Sequence, residues 1–138
     1  MIWKKNTNLE NINTSLKNTM ADFLNIKIIE ISENTIVATM PVFEKTIQPF
    51  GILHGGASVV LAETIGSLAS NLCLEENNFS VGLDINANHI KSVNNGYVTG
   101  ITKPLHLGKS THVWEIKIAQ EDKMTCISRL TTAILRKK

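Results

Sequence analysis

Between Thr46 and Leu74 the chain carries one carboxylate, Glu63, one histidine, His54, and no other charged side chain. The stretch from about His54 to Leu74 leans helical and is apolar on most sides, which a helix lying on a wet surface cannot be. It is also interrupted by glycines and by Glu63, so it does not read as the ~20-residue apolar run of a membrane span. The remaining solution is a helix packed against a sheet. Glu63 is then the anomaly, because a carboxylate among apolar neighbours is costly unless it is paired, neutralised or used. A buried Glu63 following a His54-Gly55-Gly56 turn is the first candidate for chemistry.

The flanking sequence supplies the sheet. Ile26, Ile28 and Glu30 alternate with Lys27, Ile29 and Ile31, and Ser32-Glu33-Asn34 turns the chain. Ile36, Ala38, Met40 and Val42 then share one face of a second strand, so the pair reads as a hairpin. After the helix, Val81, Leu83, Ile85 and Ala87 alternate with Gly82, Asp84, Asn86 and Asn88. Asn94-Asn95-Gly96 is a turn signal, and strands follow over residues 97–105, 114–118 and 124–135, with Glu121-Asp122-Lys123 between the last two. Ahead of all this, Leu9, Ile12 and Leu16 place a short helix within Thr7 to Asp22 that serves as a cover. Consecutive strands with short turns pair antiparallel. An antiparallel sheet that must hide one long apolar helix curls around it, which is the α+β hotdog architecture.

The 138 residues suit a single domain spanning 1–138, with 43% apolar and 19% charged residues. A net charge of +2, with no basic block in the interior of the chain, points away from nucleic acid. Cys73 and Cys126 stand far apart in apolar segments, without zinc spacing, and read as buried thiols in a reducing compartment. The N-terminus lacks the apolar run of a signal peptide. The expectation is a cytoplasmic protein that neither spans membranes nor needs a metal or a bound cofactor.

A helix N-terminus offers unpaired N–H groups and partial positive charge. Glycine at Gly55 and Gly56 lets a ligand approach closely, so the Gly55 N–H reads as an oxyanion donor, or else the glycines merely let the helix start against a strand. Glu63 lies eight residues on, ~12 Å along the same helix at ~1.5 Å per residue. One carbonyl cannot meet both groups of one chain. If both serve one reaction, the carboxylate comes from a second subunit whose helix runs antiparallel alongside, as in a two-fold dimer. Ser67, one turn past Glu63, could orient the carboxylate or a water, or bond back to its own helix. Gln48, in the preceding loop, could steer a carbonyl. His54 either contacts substrate through its backbone or caps the turn, and is not read as a general base, because no serine or cysteine nucleophile stands in context.

His54-Gly55-Gly56 with Leu61-Ala62-Glu63, Gln48-Pro49 ahead and Ser67 behind, resembles the hotdog-fold acyl-CoA thioesterases. Within them it resembles the 4-hydroxybenzoyl-CoA type with Glu on the central helix, and in that type the branch acting on 1,4-dihydroxy-2-naphthoyl-CoA in menaquinone synthesis. Gln48-Pro49-Phe50-Gly51, Pro104-Leu105-His106-Leu107-Gly108 and Trp114-Glu115-Ile116 carry the likeness across nearly the whole chain. The resemblance implies hydrolysis of an acyl-CoA to free acid and CoA, with CoA a part of the substrate. It implies Glu63 as nucleophile or general base, Gly55 as oxyanion donor, Gln48 orienting the thioester and Ser67 assisting. It further implies an obligate homodimer with shared sites, pairing into a dimer of dimers. CoA would lie along Gly82, along His89, Ile90, Lys91 and Ser92, and along His106, Leu107, Gly108, Lys109, Ser110 and Thr111. Lys109 stands where arginine is common, replacing a bidentate phosphate donor with a point charge.

Other readings diverge at particular residues. Phenylacetyl-CoA thioesterases usually carry Asp on this helix, and a hotdog dehydratase would want a catalytic His that His54-Gly55-Gly56 does not match. A medium-chain acyl-CoA remains open as substrate. A non-enzymatic acyl-CoA-binding protein would have no use for Glu63.

Overall fold

The computed structural model describes residues 1–138. In chain order the elements are α1 (Leu9–Ser15), α2 (Met20–Phe23), β1 (Lys27–Ile31), β2 (Ile36–Pro41), α3 (Gly55–Leu72), β3 (Asn78–His89), β4 (Tyr97–Leu107), β5 (Thr111–Gln120) and β6 (Lys123–Arg136). The six strands form one antiparallel sheet in the order β1-β2-β4-β5-β6-β3. Tight turns make neighbours of β1 and β2 and of β4, β5 and β6. Helix α3 then carries the chain from β2 to the far edge, where β3 pairs with β6. The sheet curls around α3, which packs on β2, β3, β4, β5 and β6. This is the hotdog fold.

The helix is enclosed by its small and branched residues. Leu61, Ala62, Ile65 and Ala69 are fully buried against Trp114, Ile116, Ile118 and Leu130. Gly66 permits the closest approach, since a Cβ there would stand 2.7 Å from Leu130 Cδ2 and 3.2 Å from Ile116 Cδ1. No helix is long and apolar enough to cross a membrane.

Three local expectations change. The single helix expected within Thr7 to Asp22 is two short ones, broken at Asn18, which takes the left-handed conformation (φ 63°). The Asn13 side chain bonds the Leu9 carbonyl of its own helix and both the N–H and the carbonyl of Ile28, which ties α1 to β1. In β1 a bulge between Ile28 and Glu30 sends Ile29 and Glu30 outward together and returns Ile31 to the core side. In β3 a bulge between Gly82 and Asp84 likewise breaks the alternation: Val81 and Leu83 are exposed, whereas Ile85 and Ala87 pack on the core. A bulge adds one residue to one strand, so every later side chain changes face.

A polar chain crosses the core near the end of α3. Ser70 Oγ lies 2.9 Å from His112 Nδ1 and 2.8 Å from Thr132 Oγ1, all three residues being buried. Burial, then the nearby His106 and Lys4, hold the His112 pKa below its ordinary value. The unfolded chain therefore takes up a proton at His112 before the folded one does. The stability contributed by the neutral ring is full above about pH 6.5 and is lost as pH falls below it. In denaturant titrations between pH 7.5 and pH 5 the wild type should weaken more steeply than His112→Gln; equal slopes would exclude His112 as the source.

Candidate active site

The chain enters α3 through a tightly bonded loop. The His54 N–H donates to the Thr46 carbonyl at 2.8 Å and the Leu53 N–H to the Val93 carbonyl at 2.7 Å. Thr46 is itself buried, its hydroxyl donating to the Pro41 carbonyl at 2.8 Å. His54 is the N-cap: its Nδ1 accepts the Gly56 N–H at 2.8 Å, and its carbonyl accepts from Ala57 and Ser58 at 2.9 and 3.3 Å. Three of the four orphan donors of the first turn are thereby claimed. The Gly55 N–H has no partner in the chain. Since Nδ1 accepts, the His54 ring is held in the tautomer with its proton on Nε2. Of the two sequence-level options for His54, the structure bears out the cap.

The free N–H opens onto a cleft of about 280 Å³ that gathers Gln48, Gly55, His89, Ile90, Lys91 and Ser92. The His89 ring covers Gly55 so closely that a Cβ on the glycine would stand 2.8 Å from His89 Nε2. Gln48 Oε1 accepts the Phe50 N–H, which leaves the amide NH₂ as the end free to donate. Two polar residues of the cleft escape sequence reasoning. Ser58 is one turn past Gly55 on the same helix, and that spacing is the signal that could have found it. Thr125, whose carbonyl accepts the Ile90 and Lys91 N–H groups, comes from β6 and has no local signal.

Glu63 is not in this cleft, and it is not buried as expected. It is half-exposed on an α3 stripe with Val59, Val60, Thr64, Ser67 and Leu68, while the opposite face supplies the core. A core-facing position would have left the carboxylate unpaired away from water; the stripe beside edge strand β3 avoids that cost. The carboxylate makes no hydrogen bond or ion pair within the chain. It rests against Gly82, where a Cβ would meet Oε1 at 2.5 Å. Gly82, expected along CoA, thus borders the carboxylate. The Ser67 hydroxyl has no partner in the chain and does not bond back to its helix; only the Ser67 carbonyl is used, by Asn71 Nδ2 at 3.0 Å.

The remaining expected residues stand elsewhere. His106 and Leu107 end β4, and Gly108, Lys109 and Ser110 turn into Thr111 at the start of β5. Leu107, Gly108 and Lys109 line a second cavity of about 690 Å³ together with Cys73 and Leu74, past the C-terminal end of α3. An 18-residue helix is ~27 Å long, so this region and the Gly55 cleft are at opposite ends of one protomer. The expected site residues therefore fall in three places and form no single cluster within a chain.

Neither cysteine competes as a nucleophile. Burial pushes the Cys73 thiol up to about 11, against a smaller opposing effect of Lys4, and pushes Cys126 up as well. No group of three or more His, Cys, Asp or Glu side chains is placed to hold a metal ion.

Known proteins match this architecture along its length. The thioesterase superfamily profile matches residues 50–127. The chain belongs to the thioesterase superfamily. The 1,4-dihydroxy-2-naphthoyl-CoA hydrolase of Escherichia coli is 54% identical over 98% of this chain and 100% of that protein. The proofreading thioesterase EntH of Cronobacter sakazakii is 46% identical over 98% and 99%. A thioesterase crystal structure from Haemophilus influenzae superimposes with a TM-score of 0.97 at 52% identity, covering 99% of this chain and 96% of that one.

Gly82 gives this thioesterase a sharp geometric requirement. Gly82→Ala should push the Glu63 carboxylate off its seat; if that carboxylate takes part in the reaction, kcat should fall roughly a hundredfold, because a misplacement of about 1 Å in a reacting site costs that much. The melting temperature should change little, since the displaced side chain is half-exposed. Steady-state kinetics with a thermal melt checks both, and an unchanged kcat would mean that the seat of the carboxylate does not matter.

Proposed function

We propose that this thioesterase hydrolyses an acyl-CoA with an aromatic acyl group, releasing the free acid and CoA, at sites shared between two protomers. The carrying observation is the placement of two unpartnered groups on one rigid helix. The free Gly55 N–H and the unpaired Glu63 carboxylate are eight residues, ~12 Å, apart. A thioester carbonyl whose oxygen accepts the Gly55 N–H is out of reach of the same chain's Glu63 and within reach of Glu63 of the partner subunit, if the helices pass antiparallel. Two-fold symmetry then forms two equal sites.

The exposed surface supports this pairing. Edge strand β3 has unpaired backbone on its outer side and exposes Val81 and Leu83, next to the half-exposed Val59, Val60 and Leu68 of α3. An apolar edge of this kind calls for cover. Antiparallel docking also brings the C-terminal end of one α3 towards the N-terminal end of the other. His106 to Thr111 of one chain then approach His89 to Ser92 of its partner, joining the two CoA-binding regions that one protomer keeps apart.

In the reaction, Gln48 donates its amide N–H to the thioester and the Gly55 N–H, backed by the helix dipole, stabilises the oxyanion. Glu63 acts by one of two routes. As nucleophile it attacks the carbonyl carbon, expels CoA as thiolate and leaves an acyl-glutamyl anhydride that water then opens. As general base it takes a proton from water as the water attacks. Ser67, one turn away, holds the carboxylate or the water. The aromatic acyl group rests on the name of the Escherichia coli relative, a hydrolase of 1,4-dihydroxy-2-naphthoyl-CoA.

Glu63→Gln should reduce CoA release from aromatic acyl-CoA by about a thousandfold or more, the loss expected on removing an essential base or nucleophile. Proven heterodimers of Glu63→Gln with Gly55→Val chains should regain part of the activity through one intact site, and their remaining inactive would refute the shared site. A panel of aromatic, medium-chain and long-chain acyl-CoAs tests the acyl group. Single turnover in heavy-oxygen water, with hydroxylamine trapping of any anhydride, separates the routes: label in Glu63 or a trapped glutamyl adduct means nucleophile, and neither means base.

A further inference from the structure

The cavity beyond the C-terminal end of α3 has a wall that the reaction so far does not use. Met1, Ile2, Trp3 and Lys4 line it together with Leu107, Gly108 and Lys109. This arm is firmly held. The Ile2 N–H donates to the Glu33 carbonyl at 3.1 Å, and those of Lys4 and Lys5 donate to the Leu72 carbonyl at 2.8 and 3.2 Å. Trp3 Nε1 donates to the Ser32 carbonyl at 2.6 Å, and its ring stacks on buried Trp114 with centroids 6.3 Å apart. The arm is therefore a built wall, placed before any ligand arrives.

We propose that this wall belongs to the substrate site, and that Lys4 binds a phosphate of the CoA nucleotide in the cavity it shares with Lys109. The inference rests on the acyl-CoA reading above and adds residues to it. Distance supports it. The cavity begins at Cys73, ten residues past Glu63, which is ~15 Å along the helix. An extended pantetheine arm carries the diphosphate of CoA a comparable distance from its sulfur. A CoA whose thioester lies against Glu63 thus reaches this cavity of the same chain with its nucleotide end.

The lining suits such a ligand. Trp3, Leu74, Leu107 and Ile134 offer apolar surface to a base, and the two lysines offer charge. His112, otherwise buried, lines the cavity too. Its Nδ1 is engaged by Ser70, and its Nε2, without a protein partner, is left for the ribose or the base. Lys4 is paired with Glu75 at 2.9 Å, both side chains more than half exposed. An ion pair in that setting contributes little and yields to a phosphate, whose charge is larger. Glu75 therefore holds the Lys4 ammonium at the mouth and opposes the incoming anion.

The test compares two substrates that differ only in the nucleotide: an aromatic acyl-CoA and the same acyl group on pantetheine. Lys4→Met keeps the aliphatic stem and should lower the ratio of kcat/KM for the CoA ester to that for the pantetheine ester about tenfold, as expected for a charge-assisted bond. Glu75→Gln should raise the ratio. A Lys4 that only fastens the arm would change both substrates alike, and an unaltered ratio overturns the proposal. Calorimetric titration with adenosine 3′,5′-bisphosphate gives a readout free of catalysis: the wild type should bind it and Lys4→Met should bind it about tenfold more weakly. If the wild type hydrolyses neither ester, the acyl-CoA reading fails by itself, and equal affinity of the two proteins in this titration would independently sink the role of Lys4.

Discussion

The rest of the structure depends on hiding an 18-residue helix whose only charged side chain is Glu63. Each small residue on its covered face, from Ala62 through Gly66 to Ala69, lets the sheet come closer, and Ile116 and Leu130 fill the space. A single sheet cannot surround a helix completely. The uncovered stripe runs from Val59 to Leu68 along edge strand β3, and it is where the chain keeps its carboxylate. Enclosure and chemistry thus share one constraint: the polar group occupies the strip of helix that the sheet does not reach.

The cap at His54 is the second half of that arrangement. By taking the Gly56 N–H with its ring and two more N–H groups with its carbonyl, His54 leaves one donor unspent, at Gly55. An ordinary aspartate or serine cap would satisfy the same donors. A histidine does so with a bulkier ring. The helix dipole adds positive potential at the spot where the free N–H points. A donor fixed by a helix end and a tied loop needs no reorganisation when charge develops, which is the condition under which such donors accelerate reactions most.

Much of this is readable from the chain because it is local. The His54-Gly55-Gly56 turn, the length of the helix and the succession of strands after it follow from periodicity and turn residues, but short-turn pairing would set β3 beside β4, whereas β3 lies at the far edge on β6. What escapes depends on pairing. The bulges at Ile28/Glu30 and Gly82/Asp84 invert faces that strict alternation assigns; nothing in Ile28-Ile29-Glu30 marks an extra residue, whereas the lone glycine at Gly82 is a signal for the second. The break at Asn18 is hidden because an asparagine, with no glycine beside it, takes the left-handed conformation, and the tie of Asn13 to Ile28 spans fifteen residues. The exposure of Glu63 is illegible for a related reason. Composition says that its neighbours are apolar, but only the sheet's edge decides which side of the helix stays open. Thr125 and Lys4 reach their cavities through tertiary contacts that no motif announces.

In the proposed two-chain site, the distance between the oxyanion donor and the carboxylate is set by docking and not by the fold of either chain. Gly55 and Glu63 are rigid with respect to each other within a protomer, since eight residues of regular helix separate them. The gap that matters for catalysis is the one between helices, and its width is decided by Val59, Val60, Thr64 and Leu68, the half-exposed neighbours of Glu63. Covering that stripe also removes water from around a carboxylate that has no partner of its own within the chain. In the proposed pairing this docking surface would align Gly55 with Glu63 of the partner subunit, so a change on the stripe would alter turnover while leaving the stability of the single chain nearly untouched.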